Sequence, residues 1–359
     1  MKTVEKCLML ALAMVAGVVT PAHAVTIDWV TVGDVGNAAD STGYGAVGYE
    51  YRIGKYEFTM GQYVTFLNAV DPEGTNPFGL YNVFMGGGQP RSGIRFDERL
   101  PSGAKYQSFP VWNDKPVNLV NWFDAARVAN WLHAGGVVYG STAAGSAAIE
   151  DGAYTLNGST SGPVPGRNAG ARYWIPTENE WYKAAYYKGG GTSAGYWEYA
   201  TQSDAVPVPV NSTADGVGMV SGKSPVVSGN FANFDFAVVW NGHPGNLTSV
   251  GSNGGPSAYG ACDMSGNVDE WNDLDGHVGP QRGDRGGNWA NSYLNFKTLL
   301  SASDRLLFNP SWETLETGFR LAGLPSSPVP EIDPAGMGSV LALVTGVLGL
   351  LERRRLKVA

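Results

Sequence analysis

The hydrophobic and polar positions of this chain follow two periods, one of two residues and one of three to four. Residues 25–32 (VTIDWVTV) and 49–58 (YEYRIGKYEF) alternate between apolar and polar side chains. Alternation turns one face of a segment toward a core and the other toward solvent, so it predicts a β-strand in each segment. A last strand is predicted over residues 318–322, GFRLA.

Three other segments show features of helices. Thr59 with Gln62, and Thr177 with Glu180, form capping boxes, in which each side chain satisfies an otherwise free backbone N–H of the other. The second helix begins at the cap Asn121, with Asp124 in the first turn, where the helix dipole favours an acid. Behind the first box, apolar residues recur in one stripe at Tyr63, Phe66, Leu67 and Val70. We therefore predict helices that start after residues 59, 121 and 177.

The stretches between these elements are rich in small residues. Glycine accounts for 50 of the 359 residues, charged residues are few, and there are 11 tryptophans. Because glycine is used about twice as often as in ordinary proteins, we predict a loop-rich domain held together by buried aromatic side chains. The fold class is α+β, with one domain over residues 25–323. Its long loops lie at 71–115 and 136–170, the second with hairpin character around Tyr154.

Both ends of the chain carry targeting features. Residues 1–24 combine a basic start, an apolar run and a small-residue cleavage site, which is typical of a secretory signal peptide. After a Pro/Ser linker at 324–334, the 17 residues 335–351 are apolar, and a basic cluster follows. We expect residues 335–359 to form a transmembrane anchor helix with a cytoplasmic basic tail. A buried C-terminal helix is the alternative, which the three consecutive arginines disfavour.

The C-terminal segment resembles the PEP-CTERM sorting signal of Gram-negative bacteria, which an exosortase is thought to process. Val329, Pro330 and Glu331 open it, and Ile332 stands where proline is usual. The resemblance implies an exported protein and an exosortase-type processing partner. The chain would first be anchored in the inner membrane and then reach the outer membrane, the cell surface or the extracellular matrix.

The charge and the cysteine content of the chain indicate which partners it lacks and which bonds cannot stabilise it. The net charge is −8, and no basic patch lies in the body of the chain, which argues against a nucleic-acid partner. Cys7 lies in the predicted signal, so Cys262 is the only cysteine of the predicted domain. No intramolecular disulfide can form there, and the fold must depend on its core and on any bound metal.

The stretch from Ser257 to Trp289 mixes acidic side chains with turn glycines and tryptophans. Six carboxylate or amide side chains fall within its residues 263–275: Asp263, Asn267, Asp269, Glu270, Asp273 and Asp275. Because Gly266 permits a sharp turn among them, their carboxylates and neighbouring carbonyls can converge. Calcium takes about six to eight oxygen ligands, so the stretch predicts a calcium site. An acidic turn whose carboxylates accept backbone hydrogen bonds is the alternative.

These residues resemble the formylglycine-generating enzyme family, also called sulfatase-modifying factors. The six motifs, in the family's order, are YEFTMGQYVTFLNAV from Tyr56, PVNLVNWFDAARVANWL from Pro116, RYWIPTENEWYKAA from Arg172, YGACDMSGNVDEW from Tyr259, RGGNW from Arg285 and GFRLA from Gly318. The resemblance spans roughly residues 51–323. It implies a mixed domain, similar to a C-type lectin, with little regular secondary structure.

The resemblance also implies structural calcium. The ligands implied for a first ion are the side chains of Asp263 and Glu270 and the carbonyls of Gly266 and Val268. The ligands implied for a second ion are the Asn233 side chain and the Phe234 carbonyl, and the rest of that set does not align.

Family enzymes oxidise a substrate cysteine with two cysteines that bind copper, and this chain lacks that pair. The two positions fall at about Asn291 and Phe296, and no cysteine follows Cys262. Copper(I) selects thiolates, which an amide or a phenyl ring cannot replace. We therefore expect neither copper nor formylglycine formation, and we expect Cys262 to be a buried, inert thiol.

Two functions remain open. The first is a calcium-stabilised binding or structural module that contacts an exopolysaccharide or an envelope protein. The second is a metal-dependent oxidase with altered chemistry, within the superfamily of formylglycine-generating and nonheme iron enzymes. Three or four convergent His, Asp or Glu side chains near Asn291 would indicate the oxidase. The histidines available for it are His133, His243 and His277. The motif tryptophans are expected in the core rather than in a sugar-binding groove.

Overall fold

The structure is a computed structural model that describes residues 25–86, 90–136, 148–291 and 297–325. One compact unit of the chain ends at Leu324, and the segment from Pro325 to Ala359 is a second unit. The predicted signal peptide and the predicted C-terminal anchor lie outside the described residues. Within the described ranges, no helix combines the length and the apolar character needed to cross a bilayer.

Three α-helices lie wholly within the described residues, and each starts where its capping residue predicts. They are α1 (Met60–Val70), α2 (Trp122–His133) and α3 (Glu178–Tyr186), with 3₁₀ helices at Val83–Met85, Pro110–Trp112 and Lys297–Leu300. All three α-helices have a complete capping box, including Asn121 with Asp124. Because each box satisfies two backbone N–H groups, the starts of these helices are set by local sequence.

The strands are two to four residues long. In chain order they are β1 (Trp29–Val32), β2 (Tyr51–Gly54), β3 (Ile94–Phe96), β4 (Tyr106–Ser108), β5 (Tyr173–Trp174), β6 (Val208–Pro209), β7 (Asn211–Ser212), β8 (Gly218–Met219), β9 (Phe231–Ala232), β10 (Val239–Trp240), β11 (His243–Pro244), β12 (Asp269–Asn272), β13 (Arg282–Arg285), β14 (Leu306–Phe308), β15 (Thr317–Gly318) and β16 (Ala322–Gly323). The strands predicted at 25–32 and 49–58 are present but shorter, as β1 and β2, because Trp29–Val32 pairs with Tyr51–Gly54 and the flanking residues do not pair in this ladder.

The first four-stranded sheet brings the two ends of the domain together. Its order is β1-β2-β16-β5, and Ala322 lies opposite Ile53 on one side and Trp174 on the other. The strand predicted over 318–322 is therefore wrong as a single element. Gly318 ends β15 in another sheet, and residues 319–321 connect β15 to β16, that is, one sheet to the other.

The second four-stranded sheet, in the order β14-β13-β12-β15, carries the acidic stretch. Every residue of β12 and β13 is buried, although their sequences are DEWN and RGDR. Strands covered on both faces are usually apolar. Charges placed here must pair with one another or with buried hydrogen-bonding groups. This sheet is therefore the centre of the candidate site.

Aromatic side chains fill the core, as the composition predicts. The six motif tryptophans are at most 4% exposed: Trp122, Trp131, Trp174, Trp181, Trp271 and Trp289. Five of them contact another ring at an angle, as Trp122 does Tyr154 at a centroid distance of 4.9 Å. Such burial confirms their core position and removes them from any sugar-binding surface.

Candidate functional site

A buried ion pair lies where the chain passes between the two large sheets. Arg320 Nε and Nη2 donate to Glu270 Oε2 and Oε1 at 2.6 and 2.5 Å, and neither side chain is exposed. The indole N–H of Trp181 also donates to Glu270 Oε2, at 2.8 Å. Two parallel N–H···O bonds are the strong form of an arginine–carboxylate pair. Glu270 is therefore neutralised by a fixed partner.

The other donors of Arg320 bind the backbone. Nη1 donates to the carbonyls of Gly54 and Lys55 at 3.0 and 3.3 Å, and Nη2 donates to the carbonyl of Cys262 at 2.9 Å. A guanidinium has five N–H bonds, so Arg320 has no donor left for a second carboxylate. Arg320 therefore connects the segment between the two sheets to the end of β2 and to the segment before β12.

Asp263, the first predicted calcium ligand, lies close to this pair. It is 9% exposed and has a left-handed φ of 55°. One carboxylate oxygen accepts from Asn253 Nδ2 at 2.8 Å, and the other accepts from the backbone N–H of Gly251. Burial raises the pKa of Asp263, and the two hydrogen bonds and the charge of Arg320 lower it in part. The contacts of this carboxylate are neutral N–H groups.

A carboxylate from outside the acidic stretch completes the cluster. Glu57, between β2 and α1, is 1% exposed, and its Oε1 accepts from Asn267 Nδ2 at 3.0 Å. Its Oε2 is buried without a hydrogen-bond partner. Burial, and next the charge of Asp263, raise the pKa of Glu57 well above its usual value. The Glu57 carboxylate is therefore costly to keep ionised without a cation.

Glu57 and Arg320 share a sequence signal that could have identified them. Each is a single charge between large apolar residues, in the strings YEF and FRL. A charge inside an apolar segment near a core must be paired or hydrogen-bonded there. Such a position could have marked both residues as interior polar groups, although not as neighbours.

The predicted carbonyl ligands, Gly266 and Val268, lie in a tight turn before β12. Gly266 has a φ of 82°, and a Cβ there would come within 2.4 Å of the Asn233 carbonyl oxygen, so the position requires glycine. The N–H of Asn267 donates to the same oxygen at 2.8 Å. The turn is thus held against the residue predicted for the second ion.

That residue belongs to a buried amide network. Asn233 Nδ2 donates to the Asn246 carbonyl, Thr248 Oγ1 and Asn267 Oδ1 at 2.8, 3.2 and 3.0 Å. Its Oδ1 is buried without a partner. Phe234 is fully buried in a small satellite cluster. An oxygen left without a donor in the interior is an atom that a cation can bind.

The oxygen donors of this region are of the kind that a hard cation binds. They differ from the implied ligands in that Glu270 is already paired with Arg320. Asp263, Glu57 and Glu270 are buried, but Arg320 forms an ion pair with Glu270 alone, so two carboxylates lack a positive partner in the described part of the chain. Within the same residues, no group of three or more His, Cys, Asp or Glu side chains is placed to hold a metal. A cation here must therefore also use amide and carbonyl oxygens.

The position expected for the first copper-binding cysteine holds a structural amide. Asn291 Oδ1 accepts from the backbone N–H of Asn288 at 2.6 Å, and the Asn291 N–H donates to the Asn288 carbonyl at 3.1 Å. These bonds close the turn after RGG. Phe296, the second position, lies outside the described residues.

Two buried carboxylates adjoin this turn. Asp269 accepts from Asn288 Nδ2, and Asp284 accepts from Thr317 Oγ1 at 3.4 Å. Burial raises the pKa of Asp269 to about 7, against a lowering by the Asn288 bond. Burial and then the charge of Asp269 raise the pKa of Asp284 well above its usual value, and Asp284 Oδ1 has no partner. Among the residues that the structure describes, no group of three or more His, Cys, Asp or Glu side chains is placed to hold a metal near Asn291.

The histidines occupy separate elements. His133 ends α2, where its Nδ1 accepts from the N–H of Arg172 at 3.1 Å. His243 lies in β11 and is exposed, and His277 is exposed beside Asp275. In the described part of the chain, none of them belongs to a group that could hold a metal.

The free thiol and the acids of α3 are used structurally. Cys262 is buried, and burial raises the pKa of its thiol to about 12, so the thiolate is scarce at neutral pH. Glu180 accepts from the N–H of Thr177 at 2.6 Å, which confirms its capping role. Glu178 pairs with Arg285.

A protein-family model, that of the sulfatase-modifying factor enzyme 1-like domain, matches residues 46–323 of this chain. The chain belongs to this family. Its mixed fold with little regular secondary structure agrees with the fold that the six motifs imply. The matched residues thus include all three α-helices, the whole of the second large sheet, and the first large sheet except β1, which lies before residue 46.

Several solved structures resemble this sulfatase-modifying factor domain. CarF is 22% identical, with a TM-score of 0.45, over 84% of this chain and 100% of its own. Variable protein 1 of Treponema denticola is 18% identical, with a TM-score of 0.40, over 84% and 97%. PvdO from Pseudomonas aeruginosa is 18% identical, with a TM-score of 0.38, over 84% and 93%. No curated protein matches the chain.

Proposed function

We propose that this chain is an exported binding or structural module of the sulfatase-modifying factor family that has lost the family's oxidase chemistry. The observation that supports it is that Asn291 and Phe296 stand where two cysteines are expected, with no cysteine after Cys262. Copper(I) needs soft sulfur ligands, and an amide and a phenyl ring supply none. One buried thiol cannot form a two-thiolate centre.

Calcium is the proposed structural ligand. The family pattern gives the ligands as Asp263, Gly266, Val268 and Glu270 for one ion, and as Asn233 with Phe234 for another. Two carboxylates without a cationic partner, and the partnerless oxygens of Glu57 and Asn233, support a cation in this region. When bound, it would supply positive charge that offsets the cost of burying carboxylates and would cross-link the segments that carry them.

The long loops at residues 71–115 and 136–170 are the proposed contact surface. The described residues of the first loop include apolar side chains that are 37% to 73% exposed: Val83, Phe84, Phe96 and Phe109. Aromatic rings on a surface loop can stack on sugar rings or dock on apolar protein surface. An exopolysaccharide or an envelope protein is the proposed partner, in keeping with the targeting features at both ends.

Calcium should raise the melting temperature of the full chain. A ligand that binds only the folded state stabilises it by about 2.7 kcal/mol at 100 times its Kd, so we expect a higher melting temperature in calcium than in EDTA. Elemental analysis after purification without chelator, followed by calorimetry, measures both content and shift. Magnesium, which demands near-octahedral geometry, serves as the control and should shift the melting less. Equal melting in calcium and EDTA would contradict the calcium proposal.

A further inference from the structure

We propose that Glu57 is the second carboxylate ligand of the cation at Asp263, in the place that the family pattern gives to Glu270. The inference rests on the calcium binding proposed above. It transfers one ligand position from a carboxylate that has a cationic partner to a carboxylate that has none.

Glu270 already has a cationic partner and three protein donors. Its two oxygens accept three hydrogen bonds, two from Arg320 and one from Trp181, at 2.5 to 2.8 Å. A cation at Glu270 would have to compete with a bidentate guanidinium that is itself fully buried and held by three carbonyls. Displacing that guanidinium would leave a buried positive charge unpaired, which is costly.

Glu57 has the properties that Glu270 lacks. Its Oε2 is buried and accepts no hydrogen bond, and Oε1 accepts only a neutral amide donor, Asn267. The nearby Lys55 is directed elsewhere, with Nζ 5.2 Å from the ring of Tyr56. An oxygen pair with one free acceptor and no ion pair is suited to a hard cation.

Glu57 is also held against the turn that supplies the other ligands. The Asn267 side chain that binds it lies between Gly266 and Val268, the two proposed carbonyl ligands. On the other side, Lys55 and Cys262 are joined by a backbone hydrogen bond of 2.8 Å, which places the segments of Glu57 and Asp263 side by side. The two carboxylates and the two carbonyls therefore border one region.

A surface cleft lies next to the Glu57 segment. Glu57 lines a cleft of about 240 Å³ together with Asp28, Tyr56 and Gln62. The lining of this cleft also includes the apolar side chains of Ile27, Phe58 and Leu321. A metal site needs an entry path in addition to its ligands, and this cleft is one candidate for it.

Glu57→Gln is the decisive variant, because glutamine keeps the size and an oxygen acceptor for Asn267 but removes the charge. Calcium alone is titrated into the chelator-treated full chain by calorimetry, and melting is recorded in calcium and in EDTA. We expect Glu57→Gln to weaken calcium binding by about 10- to 100-fold. In EDTA it should melt at the wild-type temperature or higher, since it removes a buried charge. The matched control is Asp28→Asn, an exposed carboxylate of the same cleft, which should bind calcium as the wild type does.

The outcomes separate the inference from the proposal beneath it. A wild-type chain that binds calcium and a Glu57→Gln chain that binds it equally well would overturn the role of Glu57 alone. A wild-type chain that does not bind calcium would overturn both. Glu270→Gln provides a second comparison: it should lower melting in calcium and in EDTA alike, and loss of binding only in that variant would favour the family pattern.

Discussion

Replacing Arg320 by methionine should lower the free energy of unfolding by about 3–5 kcal/mol, because the change leaves the buried Glu270 carboxylate without its cation. It also removes three hydrogen bonds to backbone carbonyls from the contact between the sheets. Chemical denaturation followed by tryptophan fluorescence measures the loss. The double variant Arg320→Met with Glu270→Gln should recover part of it, since no unpaired buried charge remains.

Arg305→Met is the matched control for this prediction. The Arg305 side chain is 28% exposed and lies 3.7 Å from Glu178, which already has Arg285 as a partner. Its loss should cost about 1 kcal/mol or less. An Arg320→Met chain as stable as the Arg305→Met chain would show that the buried pair does not hold the sheets together.

Replacing Asp284 by asparagine should stabilise the protein at alkaline pH, by about 1–3 kcal/mol at pH 8. Asp284 is buried beside Asp269, and an asparagine oxygen can still accept the Thr317 hydrogen bond. The pKa of Asp284 is raised in the folded state, so the folded wild type keeps a proton that the unfolded chain releases. Wild-type stability therefore falls as the pH rises above the unfolded pKa, and the variant avoids this loss.

The pH profile distinguishes this cause from a packing effect. The difference between Asp284→Asn and wild type should be close to zero at pH 3 and should grow with pH, as measured by urea denaturation. Asp275→Asn, at a carboxylate that is 76% exposed, should follow the wild type throughout. A variant that is less stable than wild type at pH 8 would contradict the assigned charge cost.

The helices were predictable from sequence because their signals are local. Thr59, Asn121 and Thr177 each lie three residues before a side chain that completes the capping box, and all three helices begin at the next residue. The strand lengths were not predictable, because pairing partners lie far apart in sequence and only two to four residues of each segment pair. Alternation reports burial of one face, and it does not report how far the partner strand extends.

The hairpin predicted around Tyr154 is wrong for the described residues 148–170, in which only the single residue Val164 forms a β-bridge, with Gly279. Tyr154 is instead buried and donates from its hydroxyl to Asp273 at 3.0 Å.

The candidate site was only half predictable, because two of its residues come from segments that are distant in the sequence. The turn around Gly266 is local, whereas Glu57 and Arg320 reach it from segments more than 50 residues away in sequence. Contacts of that kind follow from the fold and not from spacing.

The proposed loss of oxidase chemistry is tested most directly with a substrate. The full chain, supplied with copper(I) and oxygen, is incubated with a sulfatase-type peptide that contains one cysteine, and the peptide is analysed by mass spectrometry and with an aldehyde-reactive probe. A family enzyme that carries both cysteines provides the positive control. We expect the peptide cysteine to remain unchanged, because Asn291 and Phe296 bind no copper. Catalytic formation of an aldehyde by this chain would contradict the account.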